Sequence, residues 1–204
     1  SLNMQENQTN TAHYNFYRLF FLVILGVSIF LRWPFIFVER LWPDEALYAW
    51  NAKQIVHHPG LMFSKEVCDF HPPFFSALLS LWHFFPPPKL ACHAMAFVTG
   101  ILGIIAVYWL GRKIRGIFVG CFAAMMLGFN LLYFTLSNYI LIDTVLTAVM
   151  ILFLYLLSAD TSRVITRKDF YLGLAVMAMI LLKWSGGLVL PLIVVYYALA
   201  FPEW

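Results

Sequence analysis

Six long apolar segments dominate the sequence and restrict the folds that it can adopt. They run over residues 17–38, 90–110, 117–134, 139–157, 170–182 and 188–201. A helix needs about 20 mostly apolar residues to cross the hydrocarbon layer of a membrane. Only 11% of the residues are charged, whereas a soluble domain carries about 25%. The sequence therefore predicts an all-α, polytopic membrane bundle with about six transmembrane helices. The net charge of +3 is too small to indicate a nucleic-acid partner.

The charges in the loops predict how the segments are oriented. Residues 39–69 contain five acidic and three basic residues. Residues 111–116 contain three basic residues and no acidic one, and residues 158–168 contain three basic residues and one acidic one. Cytoplasmic loops carry an excess of Lys and Arg. We therefore expect the two basic loops inside, the first loop (about 39–89) outside, and a multi-pass protein of the inner or plasma membrane.

The first outer loop contains signals for two interfacial helices. Pro43 suits the first position of a helix, and Pro59 followed by Gly60 stops that helix near His57. Residues 71–85 form an apolar run that would be about 22 Å long as a helix, which is shorter than the membrane is thick. A crossing there would also place the basic loop at residues 111–116 outside, although cytoplasmic loops are the ones rich in Lys and Arg. We therefore predict that this run lies at the outer side as an interfacial or re-entrant helix, without crossing. Residues 1–13 are polar and predict a disordered tail, and the two chain ends indicate a piece of a longer protein.

Polar residues collect on the predicted outer side. They are Asp44 and Glu45 in the first turn of the loop helix, His71, Asp143 and Lys183. An ionised side chain within an apolar segment costs several kcal/mol if it stays unpaired. A structural ion pair between Asp143 and Lys183 is one interpretation, and a reactive cavity is the other.

Other polar residues give weaker signals. Arg32, near the end of the first segment, either extends to the interface or faces this cavity. The three cysteines, Cys68, Cys92 and Cys121, show neither a disulfide framework nor a metal spacing.

The ordered set of motifs resembles a known family. It comprises the stretch from Arg40 to Ala49 (RLWPDEALYA), His71-Pro72-Pro73, the basic stretch from Gly111 to Gly116, Asp143 and Lys183. This set resembles the N-terminal half of membrane glycosyltransferases with the C-type (GT-C) fold, in the branch of protein O-mannosyltransferases and aminoarabinose lipid A transferases. The resemblance implies that residues 14–204 form the N-terminal transmembrane half of such an enzyme.

The resemblance also implies a reaction and a set of site residues. A sugar would move, with inversion, from a polyprenyl-phosphate donor to a lipid, glycan or protein acceptor on the outer face of the membrane. Asp44, Glu45 and Asp143 match catalytic positions of the family, with Asp44 as the base. His71 matches a position near the donor phosphate, and Lys183 matches a lysine of the family. As cationic groups, Lys183, Arg40 and protonated His71 would bind the donor phosphate and stabilise its developing charge. Leu47 and Phe70 depart from the aminoarabinose enzymes, so no cofactor is assigned and a divalent metal stays open.

Two other functions are compatible with the same residues. Asp143 and Lys183 could belong to the ion pathway of a membrane transporter or flippase. Alternatively, the chain could be a truncated, non-catalytic module that binds a lipid phosphate. A glycosylated product would distinguish the transferase from both.

Overall fold

A computed structural model of the chain describes residues 2–37, 41–64, 71–158 and 167–200, with side chains from Tyr14 onward. The described residues are mostly α-helical and contain no β-strand. In chain order the α-helices are α1 (Leu2–Arg32), α2 (Pro43–His57), α3 (Phe74–Trp82), α4 (Pro88–Arg115), α5 (Ile117–Gly128), α6 (Leu131–Leu136), α7 (Ile142–Leu157), α8 (Arg167–Leu182) and α9 (Val189–Ala200). Within the described ranges, 3₁₀-helices cover Trp33–Phe37, Pro59–Phe63 and Trp184–Leu188.

Basic side chains join the helices at one end of the bundle, which we call the basic end. Arg112, near the end of α4, donates a hydrogen bond to the hydroxyl of Tyr14 on α1 over 2.6 Å. Lys113 donates to the carbonyl oxygen of Tyr155, near the end of α7, over 3.1 Å. The start of α1 and the ends of α4 and α7 therefore lie together.

The opposite end, which we call the Asp143 end, brings the other helix termini together. Arg32 at the end of α1 donates to the carbonyl oxygen of Gly128 at the end of α5 over 2.9 Å. Asp143 at the start of α7 lies beside Lys183, directly after α8. Helices α1, α4, α5, α7 and α8 thus alternate in direction in the order that the loop charges predict.

Two helical segments among the described residues are long and apolar enough to cross a membrane, Tyr14–Phe37 and Pro88–Arg115. Four shorter apolar helices accompany them, Ile117–Gly128, Ile142–Leu157, Asp169–Leu182 and Trp184–Leu199. Many large apolar side chains on these helices are exposed on the isolated chain, as expected for surfaces that contact lipid. The all-helical prediction is confirmed, and the number of six spans stays a prediction.

The third predicted apolar segment, residues 117–134, is not a single helix. Helix α5 ends at Gly128, and Asn130 starts α6 by accepting a hydrogen bond on its side chain from the backbone N–H of Tyr133 over 2.9 Å. Asparagine is one of the preferred residues at a helix N-cap. The Tyr133 hydroxyl then donates to the carbonyl oxygen of Gly100 on α4 over 2.9 Å. Helix α6 is therefore a separate short helix that packs against α4.

The first-loop helices agree only in part with their predictions. The predicted bounds of α2, Pro43 to about His57, are confirmed. The run 71–85 contains a helix of only nine residues, Phe74–Trp82, because Pro72 and Pro73 precede it and the 86–88 proline run follows it. Residues 1–13 were predicted to be disordered, whereas the structure extends α1 back to Leu2.

Arg32 occupies neither of its two predicted positions. Its side chain is fully buried, and it donates to the hydroxyl of Ser137 over 2.9 Å and to the Gly128 carbonyl oxygen. The guanidinium also lies 4.9 Å from the centre of the Phe134 ring. Arg32 also donates to the carbonyl oxygen of Ser28 over 3.3 Å, so each nitrogen of its guanidinium has a partner inside the bundle. Arg32 thus ties the end of α1 to the segment between α6 and α7.

An apolar core joins the first loop to the bundle at the Asp143 end. It combines side chains of α2, α3, α4 and the segment around the start of α7, and it extends to the last residue of α8. Its buried members are Tyr48, Ala52, Phe75, Leu79, Cys92, Met95, Ile140, Ile142, Val145 and Leu182. Burial of apolar surface is the main stabilising contribution to such a junction. Because Ile142 and Leu182 directly precede Asp143 and Lys183, this core also holds the ion pair in place.

Candidate functional site

The first turn of α2 places two carboxylates in opposite environments. Asp44 is exposed, whereas Glu45 is fully buried. One oxygen of Glu45 accepts a hydrogen bond from the backbone N–H of Trp42 over 2.8 Å, and the other accepts from the backbone N–H of Ile140 over 2.7 Å. Asp44 is therefore open to a ligand. The position of Glu45 does not support the catalytic role that the sequence implied, because both of its oxygens are engaged.

Asp143 and Lys183 form an ion pair at the same end of the bundle. The Lys183 Nζ donates to Oδ1 of Asp143 over 2.7 Å. Asp143 lies in the first turn of α7, where the helix dipole favours a carboxylate, and Lys183 has an extended backbone just after α8. The side chains stay 38% and 28% exposed, respectively. The pair is thus held by two helix termini and is still reachable from outside the protein.

Tyr48 interacts electrostatically with both groups of charges. Burial, together with the negative charges of Asp44 and Asp143, raises the pKa of Tyr48 to about 12. Its hydroxyl therefore stays protonated at neutral pH. The Tyr48 ring also stacks with the His71 ring, with 6.2 Å between the centroids. Tyr48 thus contacts His71 and interacts electrostatically with Asp44 and with Asp143, the partner of Lys183.

Sequence reasoning did not identify Tyr48, because an aromatic residue in an interfacial helix was explained by the membrane boundary alone. Its spacing from Asp44 was the available signal, since residues four apart lie on the same face of a helix. Arg40 lies outside the described residues. Among the residues that the structure describes, no three His, Cys, Asp or Glu side chains are grouped so that they could hold a metal ion.

The site combines an accessible carboxylate, a tyrosine hydroxyl and an ammonium group that is already paired. An exposed carboxylate can accept a proton from an attacking hydroxyl group. A lysine ammonium can stabilise negative charge that develops on a leaving group. These groups fit a transfer reaction that expels an anion.

Gly186 fixes the backbone that carries Lys183. Its N–H donates to the carbonyl oxygen of Lys183 over 2.8 Å, and a Cβ atom at this position would collide with the carbonyl group of Met179 on α8. A Cβ atom on the neighbouring Gly187 would meet nothing within 4 Å. The turn after α8 therefore requires glycine at position 186 and tolerates a side chain at position 187.

The substitution Gly186→Ala is expected to destabilise the protein by about 1–3 kcal/mol, because the added methyl group forces the turn away from α8. The movement also displaces Lys183 from Asp143, so transfer activity falls with it. Thermal unfolding in detergent measures the first effect. Gly187→Ala is the matched control and is expected to unfold at the wild-type temperature; equal behaviour of the two variants would contradict this account of the turn.

Comparison with known proteins identifies the family of this chain. Searches of curated proteins and of solved structures find no match. The sequence model of the dolichyl-phosphate-mannose-protein mannosyltransferase family matches residues 63–202, which is more than half of the chain. The matched region contains His71, Asp143 and Lys183, and it begins after Asp44. The resemblance found in the sequence is confirmed: the chain belongs to the dolichyl-phosphate-mannose-protein mannosyltransferases, a family of membrane-integral glycosyltransferases.

Proposed function

We propose that this chain carries the catalytic site of a transferase that moves a sugar from a polyprenyl-phosphate donor to a hydroxyl group of an acceptor. The observation that carries the proposal is the arrangement around Tyr48. Asp44, which is exposed, and Asp143, which is paired with Lys183, both act electrostatically on the Tyr48 hydroxyl. A base and a cation at one site are what this transfer requires.

In the proposed reaction, the acceptor oxygen attacks the anomeric carbon of the donor sugar. The bond between that carbon and the phosphate oxygen breaks, and the polyprenyl phosphate leaves as an anion. Asp44 accepts the proton of the acceptor hydroxyl group, a general-base role. A single in-line displacement inverts the configuration at the anomeric carbon.

Lys183 and His71 are proposed to stabilise the leaving phosphate. Lys183 presents its ammonium group at a partly exposed position, held there by Asp143. We propose that the ammonium interacts with both the carboxylate and the phosphate when the donor is bound, so that Asp143 acts on the reaction by orienting Lys183. His71 can donate a ring N–H to a phosphate oxygen, and Arg40 is proposed as a further phosphate contact because of its positive charge.

The location of the site is proposed from the loop charges. The Asp143 end lies opposite the basic end that contains Arg112 and Lys113. Cytoplasmic loops are rich in such residues, so the site is proposed to face the outer side of a multi-pass membrane protein. An acceptor protein is the simplest partner, because the matched family is described as acting on protein.

A transfer assay in membranes tests the proposed function. Membranes that contain the protein are incubated with polyprenyl-phosphate mannose, radiolabelled in the sugar, and with a serine- and threonine-rich acceptor peptide. The proposal predicts radiolabelled peptide with inverted anomeric configuration. Movement of the labelled lipid between leaflets without a glycosylated product would contradict it and would favour the flippase.

A further inference from the structure

We infer that Glu45 is a positioning residue that fixes Asp44 relative to Asp143. The inference rests on the proposed function, because it assigns to Glu45 the task of holding the proposed base beside the ion pair. It replaces the direct catalytic role that the sequence implied for this residue. The evidence comes from the burial of Glu45 and from the location of its two hydrogen-bond donors.

Glu45 joins two segments that are far apart in the chain. Its fully buried carboxylate accepts one hydrogen bond from the Trp42 N–H, directly before α2, and one from the Ile140 N–H, shortly before α7. Hydrogen bonds to a carboxylate are shorter and stronger than those between neutral groups. Asp44 follows Trp42 by two residues, and Asp143 follows Ile140 by three. The Glu45 side chain therefore bonds directly to both of the segments that lead into the helix starts of the site.

Further contacts hold the segment before α7, residues 137–140. The Trp42 ring meets the Tyr139 ring edge-on, with 5.7 Å between the centroids. Arg32 donates to the hydroxyl of Ser137 over 2.9 Å. Residues 137–140 are thus held by α1 on one side and by the start of α2 on the other. Glu45 supplies a charged, doubly bonded contact in this arrangement.

Burial separates the role of Glu45 from the role of Asp44. An acceptor hydroxyl group cannot reach a carboxylate that is fully buried and already bonded through both oxygens. Asp44, the adjacent residue, is exposed. The two adjacent acids therefore have different roles: Asp44 is accessible to the substrate, and Glu45 bonds to the protein backbone.

The substitution Glu45→Gln tests the inference. Glutamine has one acceptor oxygen, so its amide nitrogen would face one of the two backbone N–H groups and that bond would be lost. We expect kcat per folded molecule to fall about 10- to 100-fold, the loss typical of a displacement near 1 Å. The KM for the donor is expected to stay within about twofold, because the phosphate contacts at Lys183 are retained. The pH profile should keep its shape, because Asp44 is still the base.

A double substitution separates positioning from a direct role. If Glu45 acts through Asp44, adding Glu45→Gln to a protein that already has Asp44→Asn should leave the residual rate within about twofold. Should Glu45→Gln not fold, Glu45→Asp, which keeps the charge but is one methylene too short to reach both donors, provides the same comparison. The amount of folded protein is measured by size-exclusion chromatography in detergent.

Different outcomes overturn different statements. A wild-type kcat in the Glu45→Gln protein, with transfer lost in the Asp44→Asn protein, would overturn the positioning role and leave the proposed function intact. Fully multiplicative losses in the double variant would also overturn it, because they would indicate independent action of the two residues. A wild-type rate in the Asp44→Asn protein would instead overturn the proposed base and, with it, this inference.

Discussion

Replacing Asp44 with asparagine is expected to lower the rate of sugar transfer by about 10²- to 10⁴-fold, the usual contribution of a general base. Asparagine has nearly the same shape but cannot accept the proton of the attacking hydroxyl group. Because Asp44 is exposed, folding should lose only the interaction of one carboxylate with the helix dipole, about 0.3–1 kcal/mol. The initial rate of radiolabelled mannose transfer in membranes, at equal amounts of protein, measures the effect.

Lys53→Gln is the matched control for Asp44→Asn. It removes one exposed charge from the same helix, α2, and the Lys53 ammonium lies 6.0 Å from the centre of the Trp50 ring. This change is expected to leave the transfer rate within about twofold, because a surface charge on a helix contributes little to stability. Full activity in the Asp44→Asn protein would remove Asp44 from the mechanism, and equal losses in the two variants would indicate a general effect of charge.

Replacing Lys183 with methionine is expected to lower the transfer rate by about 10²- to 10³-fold, the loss seen when one group that stabilises developing charge is removed. The change removes the ammonium group that is proposed to neutralise the leaving phosphate. It also leaves Asp143 without the 2.7 Å contact to Lys183. We expect kcat to fall and the KM for the donor to rise, because the phosphate is present in the bound donor and in the transition state.

Lys113→Met is the matched control for Lys183→Met. Both lysines donate a hydrogen bond to α7, Lys183 to Asp143 at its start and Lys113 to the carbonyl oxygen of Tyr155 near its end. We expect Lys113→Met to keep the wild-type transfer rate, because it changes only the basic end. A double Asp143→Asn and Lys183→Met variant that regained full activity would show that the ion pair is structural and would contradict the phosphate role.

Much of the fold follows from local signals in the sequence. Helix α2 has its predicted bounds because Pro43 and Pro59 determine its start and its end through backbone chemistry alone. The alternating direction of the long helices also follows from the sequence, since the apolar segments and the basic loops indicate which helix ends lie on the same side. The break between α5 and α6 could not be predicted in the same way. It depends on Asn130 capping a new helix and on Arg32 reaching Gly128, a contact between residues 96 positions apart.

The candidate site was also predicted only in part, because one of its contacts joins residues that are far apart in the sequence. Asp143 and Lys183 are unusual in apolar segments, and the cost of an unpaired charge there indicates a partner. The sequence indicates one of the two hydrogen bonds of Glu45, because a Glu at the third helical position often bonds to the N-cap backbone. Its second bond, to Ile140, joins residues 95 positions apart. Only the folded structure could therefore separate the roles of Asp44 and Glu45.

Photolabelling with a donor analogue tests most directly whether the residues of α2, α7 and the turn after α8 form one site for a lipid phosphate. The probe is a polyprenyl phosphate with a photoreactive group in its first isoprene unit, and the labelled peptides are identified by mass spectrometry. The account predicts label near Lys183, Asp143 and Tyr48, reduced by an excess of unlabelled polyprenyl phosphate and by Lys183→Met. Competed label confined to the basic end, around Arg112 and Lys113, would contradict it.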